Sequence, residues 1–194
     1  MTEARQKKIE AVLSKRQPSL AVVIENVDDP HNIGAILRSC DAFGVMDVHL
    51  LYTQGKAPRL RELRTRSAAS AMKWLNIVKW NSMDELVKEL KKQKMTIAVT
   101  AMTGRSKDPA KVDLTAPLAI VIGNEHAGVS KELIKAADIN LRLPMAGFIQ
   151  SFNVSVATAL LLYEAFRQRT EKGMYKKAQL TKTQYKNVWK KWSS

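Results

Sequence analysis

LAVVIENVDDPHNIGAILRSCDAFG occupies residues 20–44. Its opening LAVVIE (20–25) is apolar and β-branched up to Glu25, the composition of a buried strand. A polar loop with Pro30 follows. The apolar residues then recur at helical spacing: at about 100° per residue, Ile33, Ile36, Leu37, Cys40 and Phe43 share one side, which faces a core. Asn32 is placed to cap this helix, with Pro30 just before the cap, and Gly44 stands where a helix C-terminal glycine belongs. Strand, loop, helix and glycine stop make the first half of a βαβ unit. Arg38 falls on the opposite side of the helix, one turn above Gly34. Glycine inside a helix costs about 1 kcal/mol against alanine, so Gly34 is either a tolerated glycine beside a surface arginine or the mark of a group that comes close to the backbone there.

The same alternation continues along the 194-residue chain. DVHLLY (47–52), LNIVKW (75–80), MTIAVT (95–100), LAIVI (118–122) and INLRL (139–143) read as further strands. Helix candidates lie near 32–43, 60–72, 82–93, 130–137 and 153–169, with flanking helices at about 3–16 and 180–192. This order predicts an α/β fold, a mostly parallel sheet with helices on both faces. The predicted organisation is a basic N-terminal helix (1–18), a main domain (19–170) and a basic helical extension (171–194). In the last helix Tyr185, Val188, Trp189 and Trp192 form an apolar stripe, read as packing rather than base stacking.

Charge gives the first functional clue. The formal net charge is +14. Residues 1–16 hold five Lys/Arg against two acids, residues 56–66 (KAPRLRELRTR) five against one, and residues 167–194 nine against one. The rest of the chain is close to neutral. A neutral body with basic extensions suits a polyanion, and the clustering points to nucleic acid. The basic segments lack the apolar face that membrane-surface binding needs. The longest apolar stretch, within VSVATALLLY, is too short to span a bilayer, and MTEARQKKIE has no apolar signal region. The one cysteine, Cys40, rules out an internal disulfide. A cytoplasmic protein is expected.

Three loops follow strands, where ligands collect in such sheets. GNEHAGVS (123–130) has the glycine spacing of a phosphate-binding P-loop, but Val129 stands where its lysine belongs, which excludes nucleotide triphosphate hydrolysis. No G-x-G-x-x-G follows the first strand. Gly123 and Gly128 still require a sharp turn or a close approach of backbone to ligand. His31, His49 and His126 are too scattered for a metal site, and no nucleophile elbow occurs, so no metal is expected. The third loop, LPMAGFIQSFN (143–153), is neutral and apolar, a poor phosphate site but a good one for adenine or a thioether. Ser151 or Asn153 can cap the long helix after it. The sequence thus separates a near-neutral pocket from basic extensions.

Together NIGAILRSCDAFG (32–44), IVIGNEHAGVS (120–130) and LPMAGFIQSFNVSVATALLLYEA (143–165) resemble the SPOUT superfamily of RNA methyltransferases, in particular the TrmH family of ribose 2′-O-methyltransferases. With IEAVLSKRQPSLAVVIENVDDPHNIGA, the likeness spans most of residues 3–170. The resemblance implies a C-terminal deep trefoil knot, a homodimer with its active site at the subunit interface, and S-adenosyl-L-methionine as cofactor. It places the family's catalytic residues on Arg38, Asn32, Glu125, Ser151 and Asn153. Cofactor contacts fall on Thr100, Gly123, Asn124, Leu143, Met145, Ser151 and Phe152. The implied reaction is methyl transfer to the ribose 2′-hydroxyl of a tRNA guanosine, at position 18 of the D-loop. Ribosomal RNA and a non-catalytic RNA-binding protein are the alternatives. Arg5, Lys8, Arg16, Arg59, Arg64, Arg167 and Lys176, from the basic segments, are the expected RNA contacts. On this reading Gly34 leaves room for RNA or a partner chain, and Gly34→Leu is expected to impair methylation more than folding.

Overall fold

The computed structural model describes residues 1–54, 57–59 and 68–193, with 68 and 69 described by backbone alone. Arg64 and most of the helix expected near 60–72 lie outside these residues. The elements are α1 (Glu3–Leu13), β1 (Gln17–Glu25), α2 (Pro30–Ala42), β2 (Val45–Leu51), α3 (Ala68–Ala71), β3 (Asn76–Trp80), α4 (Met83–Lys92), β4 (Thr96–Thr100), β5 (Leu118–Ile122), α5 (Lys131–Ala136), β6 (Ile139–Leu141), α6 (Val154–Glu171) and α7 (Lys182–Ser193). Short 3-10 turns cover Met72–Trp74 and Pro109–Lys111. The six strands form one parallel sheet in the order β3-β2-β1-β5-β4-β6.

The alternation along β1 shows why the sheet is covered on both faces. Leu20, Val22 and Ile24 join one core cluster with Ile33, Ile36, Leu37 and Cys40 of α2 and Leu161, Leu162 and Ala165 of α6. Ala21 and Val23 join a second cluster with Leu86 and Leu90 of α4 and Leu133 of α5. All five β1 residues are fully buried, which is why the strand reads as an unbroken apolar run. A third, smaller cluster joins Ile9 and Leu13 of α1 to Trp192, with Trp189, Val188 and Tyr185 packed on it. The stripe of α7 is packing, and it brings the two ends of the chain together.

The helix that opens the sequence starts earlier than the capping residue suggested. Asp29 is its N-cap, accepting a hydrogen bond from the His31 N–H at 2.8 Å, and Pro30 occupies the first turn, where its missing N–H costs nothing. Asn32 is therefore inside the helix, and its side chain is free for other bonds. Gly34 is buried. A leucine there enters a buried position, so circular dichroism of Gly34→Leu measured beside its methylation rate tests the expectation that methylation suffers more than folding.

His49 carries a pH dependence. It is buried in β2 and its Nδ1 accepts a hydrogen bond from the Trp80 indole at 3.0 Å. The neutral ring thus carries its proton on Nε2, which is buried without a partner. Burial lowers the His49 pKa, opposed by the charges of Asp47 and Glu89. The unfolded chain then binds a proton below about pH 6.5 that the folded chain refuses, so stability is lost as pH falls through that value. The slope is at most about 1.4 kcal/mol per pH unit from this group. Urea midpoints measured from pH 7.5 to 5 are expected to fall less steeply for His49→Phe than for the wild type; equal slopes would assign the loss to other groups.

Candidate active site

The carboxyl ends of β4, β5 and β6 open into a cleft of about 600 Å³. Three segments build its walls: Thr100–Met102 after β4, Ile122–Val129 after β5, and Leu141–Leu143 with Met145 and Gln150–Val154 between β6 and α6. Thr100, Gly123, Asn124, Leu143, Met145, Ser151 and Phe152 all line it, as do Glu125 and Asn153. The order of strands makes this meeting possible. β5 lies between β1 and β4, and β6 returns beside β4, so loops distant in sequence end side by side.

The 123–130 loop is a closed turn. Asn124 N–H donates to the Gly128 carbonyl at 3.1 Å, and Gly128 N–H donates to the Asn124 carbonyl at 2.9 Å. Gly128 has φ +70°, a conformation open to glycine. A Cβ on Gly123 would stand 2.1 Å from the Gly128 backbone. Both glycines thus serve the turn, one of the two uses the sequence left open. The Asn124 side chain is spent inside the loop system. Its Oδ1 accepts from the N–H groups of His126 (2.9 Å) and Ala127 (3.0 Å), and its Nδ2 donates to Asn26 O (2.8 Å) and Asp28 Oδ2 (3.3 Å). Asn124 shapes the cleft wall through these bonds.

The exit of β1 grips that wall at two points. Besides the Asn26 carbonyl, the buried Glu25 carboxylate accepts the Ser130 N–H at 2.9 Å. Asn26 adopts φ +49°, tolerated by asparagine, and its Oδ1 accepts from Thr53 N–H at 3.1 Å. Tyr52, whose hydroxyl donates to the Val27 carbonyl, is pushed up to about 12 by burial and by the charges of Asp28 and Glu125. It stays neutral and acts as a strut. Sequence reading passed over Glu25, Asn26 and Tyr52; the one signal was an asparagine directly after a strand.

Three of the expected catalytic residues meet. Asn32 Nδ2 donates to Glu125 Oε1 at 2.8 Å, and Asn153 Nδ2 donates to Asn32 Oδ1 at 3.0 Å. Asn153 is also the N-cap of α6, its Oδ1 accepting from the N–H groups of Ser155 (2.8 Å) and Val156 (3.4 Å). One side chain thus starts a helix and fixes Asn32 from its other end. Asn32 has both ends of its amide occupied, one by a carboxylate, so its orientation is set. Ser151 is exposed on the cleft wall.

Arg38 is not with them. It lies six residues beyond Asn32 on α2, about 9 Å along the axis, on the exposed face shared with His31 and Ala42. It does not line the cleft, and its guanidinium has no hydrogen bond or ion pair among the described residues. Glu125 orients Asn32, not Arg38. Close by, an apolar surface is exposed: Val156, Leu160 and Tyr163 at helical spacing on α6, and Phe148, Ile149 and Phe152 before it.

The expected RNA contacts divide. Arg5 and Lys8 are exposed on α1, and Lys176 and Arg59 are exposed. Arg167 is exposed but paired with Glu164 (2.7 Å) and Glu171 (2.6 Å), which raise its pKa. Arg16 is a correction. It is fully buried, donates to Val45 O at 2.9 Å and to the Asp41 carboxylate, and lies 5.0 Å from the Trp192 ring centroid. It joins α1, α2 and α7 and offers nothing to a polyanion in this structure. Among the described residues no cluster of three potential metal ligands occurs, and no helix is long and apolar enough to cross a membrane.

The geometry can be set beside known proteins. The chain is 40% identical over 98% of its length to the tRNA (guanosine(18)-2′-O)-methyltransferase of Thermus thermophilus, covering 96% of that protein. The crystal structure of the A. aeolicus TrmH/SpoU tRNA modifying enzyme superposes with a TM-score of 0.90 at 39% identity, over 98% of this chain and 95% of that one. The SpoU methyltransferase AviRb from Streptomyces viridochromogenes, in complex with AdoMet, gives a TM-score of 0.71 at 29% identity, over 81% of this chain and 59% of that one. Residues 19–163, from the first strand to the exposed stripe of α6, match the SpoU rRNA Methylase family, and the chain belongs to it.

Proposed function

We propose that this protein transfers a methyl group from S-adenosyl-L-methionine to the ribose 2′-hydroxyl of guanosine 18 in the D-loop of tRNA. The observation that carries the reading is the Asn153–Asn32–Glu125 chain, two of whose members line the cleft, supported by near full-length likeness to tRNA (guanosine(18)-2′-O)-methyltransferases. The cleft fits the cofactor. Ile122, Leu141, Leu143 and Met145 offer apolar surface to an adenine and a thioether, the kind of wall such ligands need. Thr100, Gly123, Leu143, Met145, Ser151 and Phe152 would hold it.

When bound, the cofactor supplies an electrophilic sulfonium methyl. The chain must supply orientation and charge. A ribose hydroxyl is a weak nucleophile, so its proton leaves, to a neighbouring phosphate or water, as negative charge develops on the oxygen. Arg38 stabilises that charge through its guanidinium rather than taking the proton. Asn32, fixed by Glu125 and Asn153, and Ser151 orient the ribose.

Arg38 lies outside the cleft of its own chain, so the complete site needs two copies. The homodimer of this reading places the exposed stripe of α6 and the Phe148–Phe152 loop between subunits, a surface too apolar to leave in water. The C-terminal trefoil knot belongs to the same reading, supported by the return of β6 beside β4 and of residues 141–153 across the ends of β4 and β5. Arg5 and Lys8, with Lys176, Arg59 and Arg64, engage the tRNA backbone, which implies salt-dependent binding. The setting is the cytoplasm.

Incubation with methyl-labelled S-adenosyl-L-methionine and unmodified tRNA, followed by mapping of the modified nucleotide, tests the proposal. Label on the ribose of guanosine 18 is expected. Label confined to ribosomal RNA would move the substrate, and RNA binding without any transfer would overturn the enzyme.

A further inference from the structure

The cleft is nearly uncharged. Of the residues that line it, Glu125 and Arg142 alone carry a formal charge, and the Glu125 carboxylate is already engaged by Asn32. Arg142 follows β6 directly. Its backbone is tied down, with its N–H on the Lys107 carbonyl at 2.9 Å, while its exposed guanidinium has no hydrogen bond or ion pair among the described residues. A fixed main chain under an unengaged guanidinium is a poised anion site. The neighbouring cations Arg105 and Lys107 are exposed but do not line the cleft.

We propose that Arg142 binds the carboxylate of the cofactor's amino-acid moiety. The inference rests on the reading of the cleft as the site of S-adenosyl-L-methionine. That molecule presents two unlike ends, a flat adenosine and a zwitterionic 2-aminobutyrate. The apolar walls suit the first end. The second brings a carboxylate into a cleft whose other charged side chain is an acid, which is unfavourable unless a cation meets it. A guanidinium offers two parallel N–H groups that match a carboxylate. Arg142 thereby selects ligands that keep the amino-acid tail and sets the direction in which the cofactor lies.

Calorimetric titration of two thioethers tests this without turnover. S-adenosylhomocysteine carries the 2-aminobutyrate; 5′-methylthioadenosine has the same adenosine and sulfur but neither carboxylate nor amine. Arg142→Met is expected to weaken S-adenosylhomocysteine by roughly 10- to 100-fold, the range for a hydrogen bond to a charged group, and to leave 5′-methylthioadenosine unchanged. Arg142→Lys should recover part of the loss, and Arg105→Ala, which removes a nearby charge off the cleft, should bind both compounds as the wild type does. Equal weakening of both ligands by Arg142→Met would make Arg142 a structural residue and overturn the assignment, as would no weakening of either. If the wild type binds neither compound, the cofactor reading itself falls, and the assignment with it.

Discussion

Arg38→Ala is expected to lower kcat by roughly 100- to 1,000-fold, the cost of removing one donor from a developing oxyanion. Affinity for S-adenosylhomocysteine should not change, because Arg38 lies outside the cleft. Arg38→Lys keeps the charge but loses the planar fork, and should fall between the two; full activity in that variant would show that geometry at this position does not matter. The stronger test uses two inactive proteins. The Arg38 backbone lies about 9 Å along α2 from that of Asn32, and the proposed dimer would draw Arg38 from one subunit and Glu125 from the other. Co-expression of Arg38→Ala with Glu125→Gln then gives mixed dimers in which one site holds both defects and the other none. With random pairing, half the dimers are mixed and each has one intact site, so activity should return to about a quarter of the wild type. If both residues act within one subunit, every site keeps a defect and activity stays near that of the single variants.

The same helix shows what a sequence reveals and what it hides. The core face of α2 was legible because burial imposes a period: Ile33, Ile36, Leu37 and Cys40 are all fully buried, and Arg38 is exposed. The start was misread by three residues because Asp29 and Asn32 are equally good caps, and only the backbone decides between them. The strands were found nearly in full, since a parallel sheet buries both faces and writes uninterrupted apolar runs. The site was legible as a set of loops, through their glycines, proline and position after strands. Its wiring was not. The bonds from Asn32 to Glu125 and Asn153 span 93 and 121 residues, and no local pattern records a contact at that distance. Charge misled in a specific way. Arg16, expected to contact RNA, and Arg169, part of the basic C-terminal segment, are both fully buried. Arg142 stands alone among apolar neighbours in INLRLPM (139–145), with no charge pattern to mark it.

Arg169→Ala is expected to destabilise the fold by about 3–5 kcal/mol, from buried acceptors left without donors and the void of a lost large side chain. For a chain of this size that is a fall in Tm of roughly 6–20 °C. The guanidinium is fully buried near the C-terminal end of α6, and each of its N–H groups has an acceptor. Nε donates to Leu114 O at 3.1 Å, Nη1 to Gln17 Oε1 (3.2 Å) and Ser19 Oγ (2.9 Å), and Nη2 to Ser19 O (3.1 Å) and Ala116 O (2.9 Å). None of these acceptors is an acid, so the network trades on geometry more than on charge pairing. Burial lowers the Arg169 pKa, partly offset by Tyr175 and Asp113, yet arginine stays protonated far above neutrality. Alanine would leave the acceptors without donors and open a void beside the entries of β1 and β5. Arg169→Lys should recover little, because one ammonium cannot reach five acceptors spread over two segments. A lysine variant with wild-type Tm would mean that charge alone suffices. The position matters beyond stability. α6 runs about 24 Å from Asn153 in the site to Arg169 at the opposite end of the strands, and it is pinned at both ends by a polar side chain. Loosening the far pin lets the helix shift against β1, and Asn153 moves with it. Well below its Tm, Arg169→Lys should therefore lower kcat more than it weakens cofactor affinity. A variant that loses Tm but keeps kcat would show that the Asn153 end holds α6 in place unaided.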